Sequence, residues 1–285
     1  MEKKYKLTDE TIYFDGHILH RIQACKDFNN VKKGDLGGWI EKEDNLSQIG
    51  NAWIGGDAKV CKNAKVYGSA KVYDHVTICG NAHVLGNAEI YGESKVHGNA
   101  QVYGRARVFG NAVVCDNAMV NGKAQVYENA QICGKAQVYG DAEVYDNARV
   151  FGNALVYGYA MVGDNVRVYG DAKVYDNAIV SDNAIIYGNA EVFGNAEIYG
   201  NAVISGNAKV CNNEDYIVFK NFWSSGRYFT WTRSNNMWKV GCFYGTGEEL
   251  IEKAYKDSKK SGKEYERIVK YVESILADEE KQHNT

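Results

Sequence analysis

Gly-Asn-Ala-Glu-Ile-Tyr at residues 194–199, followed directly by Gly-Asn-Ala-Val-Ile-Ser at 200–205, contains the pattern that decides the fold. The same six-residue unit runs without a slip from Asn51 to Cys211, and its aliphatic position is Val or Ile in all 27 units. The position two residues earlier is Ala in 24 units, and the one before that is Asn in 17. A repeat this strict indicates a solenoid, because each unit can bury its apolar side only by stacking on its neighbours.

The spacing within a unit predicts how the chain bends. Ala and the Val or Ile lie two residues apart, so both point to the same side of a strand, toward the interior. Gly or Asp followed by Asn forms the corner, because these residues tolerate the left-handed conformation that a sharp bend needs. A three-sided prism uses 18 residues per turn. The 27 units therefore predict about nine turns and a length of roughly 43 Å at about 4.8 Å per turn.

The units resemble those of the left-handed parallel β-helix, the hexapeptide-repeat family whose best-known members are acyltransferases. Left-handed winding is implied by this resemblance, since the general rule for crossovers favours the opposite hand. A more specific likeness is carried by Arg21-Ile22-Gln23-Ala24, Asp27-Phe28, Val31-Lys32, Gly37-Gly38-Trp39-Ile40, Asn45-Leu46-Ser47-Gln48 and Trp53-Ile54. Through these segments, residues 20–211 are similar to the YdcK-like group of bacterial and phage-borne hexapeptide proteins.

We expect a mainly β protein in three parts: a β cap at 1–50, the β-helix at 51–211 and a small α+β module at 212–285. The cap predicts short strands at 5–7, 11–14 and 18–24, with Asp15-Gly16 as a hairpin turn. A non-repeating segment of this kind stops edge pairing at the open end of a repeat stack.

The module after Cys211 loses the six-residue period. Alternating aromatic and polar residues predict three strands, at 216–223, 227–233 and 237–243. A helical period follows from Thr246, which we expect to cap the first helix together with Glu249. Ser261-Gly262 is predicted to separate this helix from a second one.

Composition limits the classes of function. The net charge is −3 and no block of one sign occurs, so we expect neither nucleic acid nor an anionic membrane as partner. Seven cysteines with no long apolar run and no signal-peptide core predict a cytoplasmic protein with reduced thiols. Proline is absent, which suits a chain that needs nearly all its backbone N–H groups for strand ladders.

One outward row of the predicted prism attracts a metal hypothesis. Sorting the sequence by 18 residues stacks Cys61, Cys79, His97, Cys115 and Cys133 in successive turns. Rungs about 4.8 Å apart let two ligands share an ion, but a tetrahedral zinc site needs four convergent ligands. We favour cysteine as a small filler of the ladder and no metal. Disulfides between Cys61 and Cys79 or between Cys115 and Cys133 fit the geometry, although a reducing compartment opposes them.

An enzymatic hypothesis follows from the family resemblance. Hexapeptide acyltransferases use a histidine as general base and bind CoA in a groove between neighbouring subunits. His83 and His97 project outward and are the candidate bases in this chain. No loop interrupts the repeat, however, and a flat prism face offers no water-excluding pocket. We therefore favour two solvated surface histidines, no catalytic residue and no cofactor, with acyl-CoA as the co-substrate of the alternative.

Aromatic and apolar residues are the candidates for a partner-binding surface. Outward tyrosines stack in ladders that stabilise the sheets by themselves. The candidate contact residues are Trp223, Tyr228, Trp231 and Trp238 of the module, most of them expected in its core, and Ile179 and Ile185 late in the solenoid. These two isoleucines favour either a subunit contact or docking of the module, and the sequence leaves both open.

The sequence therefore predicts a rigid scaffold without catalytic activity, which recognises a protein partner or a second copy of itself. Contact is expected through the outer faces or the C-terminal module, and trimers are what the family resemblance implies. The same resemblance suggests a bacterial protein carried by a phage or mobile element. The alternative is a CoA-dependent acyltransferase.

Overall fold

The computed structural model describes residues 2–283, with the side chain of His283 left aside. At the N-terminus, β1 (Tyr5–Phe14) and β2 (His17–Ala24) form an antiparallel hairpin, and β2 continues the sheet to β3 (Leu36–Ile40). Asp15 and Gly16 both have positive φ, so the predicted hairpin turn is confirmed. The two strands expected at 5–7 and 11–14 are one strand with a bulge between them.

The hexapeptide region forms 27 two-residue strands, which begin at Trp53–Ile54 and recur every six residues to Lys209–Val210. Each strand pairs in parallel with the strand 18 residues away, as in Val96 with Val114. The strands assemble into three stacked sheets. The fold class is therefore a three-sided parallel β-solenoid, as the sequence predicts. The left-handed winding stays a prediction from the family resemblance.

The three sheets are named here by their outward residues. The cysteine face contains the strands from Lys59–Val60 to Val203–Ile204, the Tyr73 face those from Trp53–Ile54 to Glu197–Ile198, and the Tyr67 face those from Lys65–Val66 to Lys209–Val210. The Ala and Val or Ile positions form one continuous core in which almost every side chain is fully buried. The corner residue before Asn has positive φ throughout the repeat, and it is Gly or Asp at nearly every turn.

The N-terminal cap adds a turn that the repeat does not announce. Trp39 and Ile40 of β3 pair in parallel with Lys59 and Val60, and Leu46 bridges to Val66. The cysteine face consequently has ten parallel rungs and the solenoid about ten turns, where the repeat predicts nine. The first turn thus comes from a sequence that lacks the hexapeptide pattern. This is possible because repeat strands cover this turn on one side only.

The C-terminal module is a four-stranded antiparallel sheet with two helices, so the prediction of three strands is wrong: the segment expected at 237–243 turns back to form two strands. Its strands are Tyr216–Lys220, Tyr228–Thr232, Met237–Val240 and Phe243–Gly245. The helices are α1 (Gly247–Asp257) and α2 (Lys259–His283), and Thr246 caps α1 with Glu249 as predicted. Neither helix offers an apolar stretch of the length needed to cross a lipid bilayer.

The predicted helix break at Ser261-Gly262 is wrong. The chain leaves the helical conformation at Ser258, and Gly262 lies inside α2. A Cβ at Gly262 would lie 2.3 Å from the ring of Tyr255 in α1. Glycine is therefore present because the two helices approach closely, not because the helix ends.

The module closes the far end of the solenoid. The Thr230 hydroxyl accepts a hydrogen bond from the Val203 backbone N–H at 2.9 Å, and Ser234 accepts one from Lys209 at 2.6 Å. The Tyr216 hydroxyl donates to the Glu197 carbonyl at 2.9 Å, and its ring joins the solenoid core. Side chains of the module thus occupy positions that another rung would otherwise take.

Candidate functional site

The cysteine row is cross-linked rather than free. Cys61 is bonded to Cys79, and Cys115 to Cys133, each pair joining neighbouring turns. The prediction of reduced thiols is wrong for these four residues, since a parallel ladder brings the Cα atoms of stacked cysteines to within 4.9 Å, inside the range that a disulfide requires. The described free cysteines are Cys25, Cys211 and Cys242.

The disulfides also decide how the metal hypothesis stands. The sulfurs of Cys115 and Cys133 lie with an Asp116 carboxylate oxygen in a group that spans 4.8 Å. Thiolates are the form in which cysteine binds a metal, and sulfurs bonded to each other do not supply them. His97 lies between the two disulfides, on the turn that separates Cys79 from Cys115. The row therefore provides no set of four convergent ligands while both disulfides are intact.

The N-terminal cap converts part of the flat Tyr67 face into a groove. The segment at residues 43–48 crosses this face and leaves a cavity of about 610 Å³ that His83, Tyr67 and Lys65 line from the solenoid side. Glu43, Asp44, Ser47 and Gln48 line it from the cap side. The cap, and not an inserted loop, forms the second wall of this open groove, so the face is not flat here.

Buried hydrogen bonds fix the wall of this groove. Asn45 is fully buried, and its side-chain amide donates to the carbonyls of Lys62 at 3.1 Å and Ala64 at 2.9 Å. The Tyr5 hydroxyl lies 2.9 Å from the Glu43 carbonyl and 2.7 Å from that of Leu46. These hydrogen bonds therefore fix the position of the 43–48 segment relative to the Tyr67 face.

His83 is oriented within the groove by Tyr67. The Tyr67 hydroxyl lies 3.3 Å from Nδ1 of His83, and the two rings meet edge to face. A hydrogen bond to Nδ1 selects the tautomer and leaves Nε2 available to a bound molecule. This arrangement can orient an imidazole for proton transfer. This arrangement could not be predicted from the sequence, because residues 43–48 and His83 lie far apart in the chain.

His97 lies in a second cavity, of about 410 Å³, on the cysteine face beneath the β1–β2 turn. Its side chain is exposed. Both histidines predicted as candidate bases thus line cavities between the cap and the first turns of the solenoid. The structure does not bring them together, since they occupy different faces.

The outward aromatics form the ladders that the 18-residue spacing predicts. On the Tyr73 face the rings of Tyr91, Phe109, Tyr127 and Tyr145 stack at 4.8–5.3 Å. Burial and a hydrogen bond to Glu143 raise the pKa of Tyr127. The ladder ends where the ring of Tyr145 lies over Gly163.

The module separates its aromatic residues into a core and an exposed loop. Trp231 and Trp238 are buried among the sheet and helices, so the prediction of partner contacts for these two is wrong. Trp223 is 67% exposed and Tyr228 is half-buried. Sequence reasoning missed Phe222, which is 70% exposed beside Trp223. The Phe222-Trp223 pair, directly before the Ser-Ser-Gly turn, was the signal that could have identified it.

The loop that carries Phe222 and Trp223 is ordered by one buried side chain. Asn221 is 2% exposed, and its Oδ1 accepts hydrogen bonds from the backbone N–H groups of Trp223 and Ser224, both at 3.0 Å. The Lys220 ammonium lies 5.0 Å from the centre of the Phe222 ring. The two rings are therefore presented on a fixed turn.

Of the late apolar residues, Ile179 is exposed and Ile185 is half-buried. The module contacts the last turn through Thr230 and Ser234. Ile185 lies one turn before Val203, and Ile179 lies one turn before Glu197.

These features define a class of protein, a capped parallel β-solenoid with a C-terminal α+β module. Repeats of the chain match the family model for the YdcK β-solenoid repeat. The matched residues are 100–116, 112–128, 136–158, 148–164 and 172–188. These stretches of the solenoid are thus similar to YdcK β-solenoid repeats.

Among named proteins, the chain is similar to the uncharacterized acetyltransferase YdcK of Escherichia coli (strain K12). The two are 43% identical over 60 residues, which cover 18% of this chain and 18% of the E. coli protein. The alignment thus spans less than a fifth of that relative.

Proposed function

We propose that this protein is a rigid, non-catalytic scaffold that binds a protein partner through its C-terminal module. The observation that carries the proposal is the pair of exposed rings, Phe222 and Trp223, on a loop fixed by the buried Asn221. Aromatic residues dominate the energetics of protein interfaces, and an ordered loop loses little conformational entropy on binding. The solenoid contributes stiffness, since every turn is hydrogen-bonded to the next along three sheets.

A double substitution tests this proposal. Replacing Phe222 and Trp223 together by Ser removes both rings and leaves Asn221 intact. The matched control is Tyr13→Ser, which removes a ring that is 78% exposed at the opposite end. Affinity capture from a lysate of the source organism should recover a partner with the wild type and the control, and lose it with the double variant. Equal recovery by all three proteins refutes the module as the recognition element.

Self-association is part of the same proposal, with trimers as the form that the family resemblance suggests. Ile179 on the Tyr73 face is exposed, and its neighbours on the adjacent rungs are Met161 and Glu197. Burial of apolar surface of this kind favours contact between copies. Sedimentation equilibrium should give a mass above that of the 31.7 kDa chain, and Ile179→Lys should lower it. A monomer at all concentrations refutes self-association.

A second candidate function is acyl transfer in the groove at residues 43–48. It is favoured by the orientation of His83 by Tyr67 within a cavity of about 610 Å³. The E. coli relative is named an uncharacterized acetyltransferase, which is the same class of reaction. His83 would act as general base toward an acceptor hydroxyl or amine, with acyl-CoA as donor. Calorimetry with acetyl-CoA tests this function. Binding that is lost in both His83→Ala and Tyr67→Phe supports it, and absence of binding at millimolar concentration refutes it.

The cytoplasmic location and the phage or mobile-element origin belong to this proposal as predictions from the sequence. The two disulfides weigh against a reducing compartment, where such bonds are rare. Alkylation of thiols at the moment of cell lysis tests the location, since a cytoplasmic protein should be labelled at Cys61 and Cys79.

A further inference from the structure

The cavity beneath the β1–β2 turn combines backbone donors with cationic side chains. It measures about 410 Å³, and Gly80, Gly98, Lys95 and His97 line it from the cysteine face. Lys62 also lines it, but its ammonium group is paired with the Asp15 carboxylate at 2.9 Å. Lys95 and His97 are therefore the positive or proton-donating side chains left to face a ligand.

The corners of this solenoid show what their backbone N–H groups bind. At six corners the residue before Asn, or before its equivalent, is Asp, and each of these Asp carboxylates accepts a hydrogen bond from the backbone N–H one turn ahead. The six pairs are Asp74 with Gly92, Asp116 with Gly134, Asp146 with Asp164, Asp164 with Asp182, Asp176 with Gly194 and Asp182 with Gly200. The distances are 2.8–3.3 Å. The corner N–H groups thus donate to a carboxylate at each of the six corners where the preceding turn supplies an Asp.

The corner row that passes through the cavity has a gap in this arrangement. Below the cavity, the N–H of Lys62 binds the Glu41 carboxylate at 2.6 Å, and above it the N–H of Gly134 binds Asp116. Between them, the N–H groups of Gly80, Gly98 and Asp116 make no hydrogen bond to any described residue, and Gly80 and Gly98 line the cavity. The residues one turn earlier are Lys62 and Gly80, neither of which carries a carboxylate.

Lys95 is also without an anionic partner among the described residues. Its neighbours on the adjacent rungs are Thr77 and Val113. On the other faces, Lys71 is paired across a rung with Glu89 at 3.0 Å and Lys173 with Glu191 at 3.1 Å. The cavity therefore combines an unpaired ammonium group with two unoccupied N–H donors on successive turns.

We propose that this cavity binds a tetrahedral oxyanion, a phosphate group, with its oxygens on the N–H groups of Gly80 and Gly98. Lys95 and His97 contact the remaining oxygens. Backbone N–H groups in a tight turn form concave anion sites, and an ionised acceptor strengthens each hydrogen bond. The site differs from the His83 groove and does not depend on the scaffold or the acyltransferase function.

The chain itself suggests the sharpest variant, Gly80→Asp. An Asp side chain at this corner should reach the N–H of Gly98, as Asp116 reaches Gly134, and occupy the site from within. Asp is tolerated in this slot, since the six native examples have φ between 51° and 60°. The matched control is Gly152→Asp, which makes the same change of charge on the same corner row outside the cavity.

Binding of inorganic phosphate to the full chain is measured by calorimetry in a phosphate-free buffer at low salt. We expect millimolar or tighter binding by the wild type and by Gly152→Asp, and at least a tenfold loss in Gly80→Asp. Lys95→Gln combined with His97→Gln should lose at least tenfold as well, and these surface changes keep the test valid if Gly80→Asp does not fold. Wild-type binding that is absent at 20 mM, or unaffected by these variants, overturns the proposal.

A second arm distinguishes the sources of the phosphate group. O-phosphoserine and inorganic phosphate are compared on the wild-type protein. Tenfold tighter binding of O-phosphoserine assigns the site to the phosphate of a larger ligand, and equal affinity assigns it to the free anion. Failure of both probes to bind overturns the proposal in the same way.

Discussion

The hydroxyl of Thr230 accepts a hydrogen bond from the backbone N–H of Val203 at 2.9 Å, so a side chain of the module completes the last strand of the cysteine face. Thr230 is 1% exposed, which makes this bond hard to replace by solvent. The end of the solenoid is thus closed by particular side chains of the module.

Replacing Thr230 by Val should destabilise the protein. Valine keeps the shape of threonine but leaves the half-buried N–H of Val203 without its acceptor, at a cost of about 1–3 kcal/mol. Guanidinium denaturation followed by circular dichroism measures the change. Thr11→Val, at an exposed position of β1, is the control and should change the free energy of unfolding little. Equal effects of the two variants would contradict the role of Thr230.

The disulfides predict a thiol count. Protein isolated without reductant and then denatured should react with a thiol reagent at three of its seven cysteines, and at all seven after reduction. Cys61→Ser should lower the free energy of unfolding by about 3 kcal/mol, the stabilisation expected of a disulfide that closes a loop of about 15 residues. The two cysteines are 18 residues apart. Cys242→Ser, at an exposed free cysteine, is the control. Seven reactive thiols before reduction would refute both disulfides.

Lys4 predicts a rise in stability with pH. Its side chain is 1% exposed, and its ammonium donates to the Ala52 carbonyl at 2.9 Å. Burial, with a smaller contribution from Lys26, lowers the pKa of Lys4 to about 8. Between pH 8 and the usual value of about 10.5 the unfolded chain binds more protons, so the free energy of unfolding should rise by up to about 3 kcal/mol.

Denaturation at pH 7 and at pH 9.5 checks this rise, and Lys4→Met supplies the comparison. The variant has no ammonium group to deprotonate, so its stability should lose most of this pH dependence. An identical slope in both proteins would show that another group is responsible.

The tyrosine ladders predict the opposite trend at higher pH. Burial is the main cause that raises the pKa of Tyr73 and of Tyr175 to about 12, and the Glu89 and Glu191 carboxylates add to it. Because the folded state holds these protons more tightly, the stability present below pH 10 should be lost as the pH rises toward 12. Denaturation at pH 9.5 and 11.5, with phenolate absorbance recorded in parallel, tests this loss. Tyr175→Phe should reduce it, and an unchanged pH dependence would count against the ladder.

The core of the solenoid could be predicted because its determinants are local. Val96 and Ala100 follow from a period of six, and the Asp15-Gly16 turn follows from two adjacent residues. Ile40 and Leu46 belong to an additional turn whose sequence does not follow the repeat. Only their pairing with Val60 and Val66 identifies this turn. The number of turns was therefore underestimated by one.

The candidate site depended on contacts that the sequence does not announce. Asn45 holds the wall of the His83 groove through carbonyls 17 and 19 residues away, and no periodicity relates these residues. The role of Gly262 could not be predicted either, because it depends on the contact with the ring of Tyr255 in α1. The 18-residue spacing identifies the cysteines that can pair, whereas the composition of the chain predicts free thiols. The disulfides follow the spacing.

The three-fold pattern of the solenoid has a consequence for any molecule that contacts both ends. Since six residues make one side, insertion of a single hexapeptide should turn the C-terminal module by a third of a revolution relative to the hairpin. Insertion of 18 residues should keep its orientation and move it away by about 4.8 Å. The number of repeats thus sets, in discrete steps, the distance and the rotation between the cavity beneath the β1–β2 turn and the Phe222-Trp223 loop.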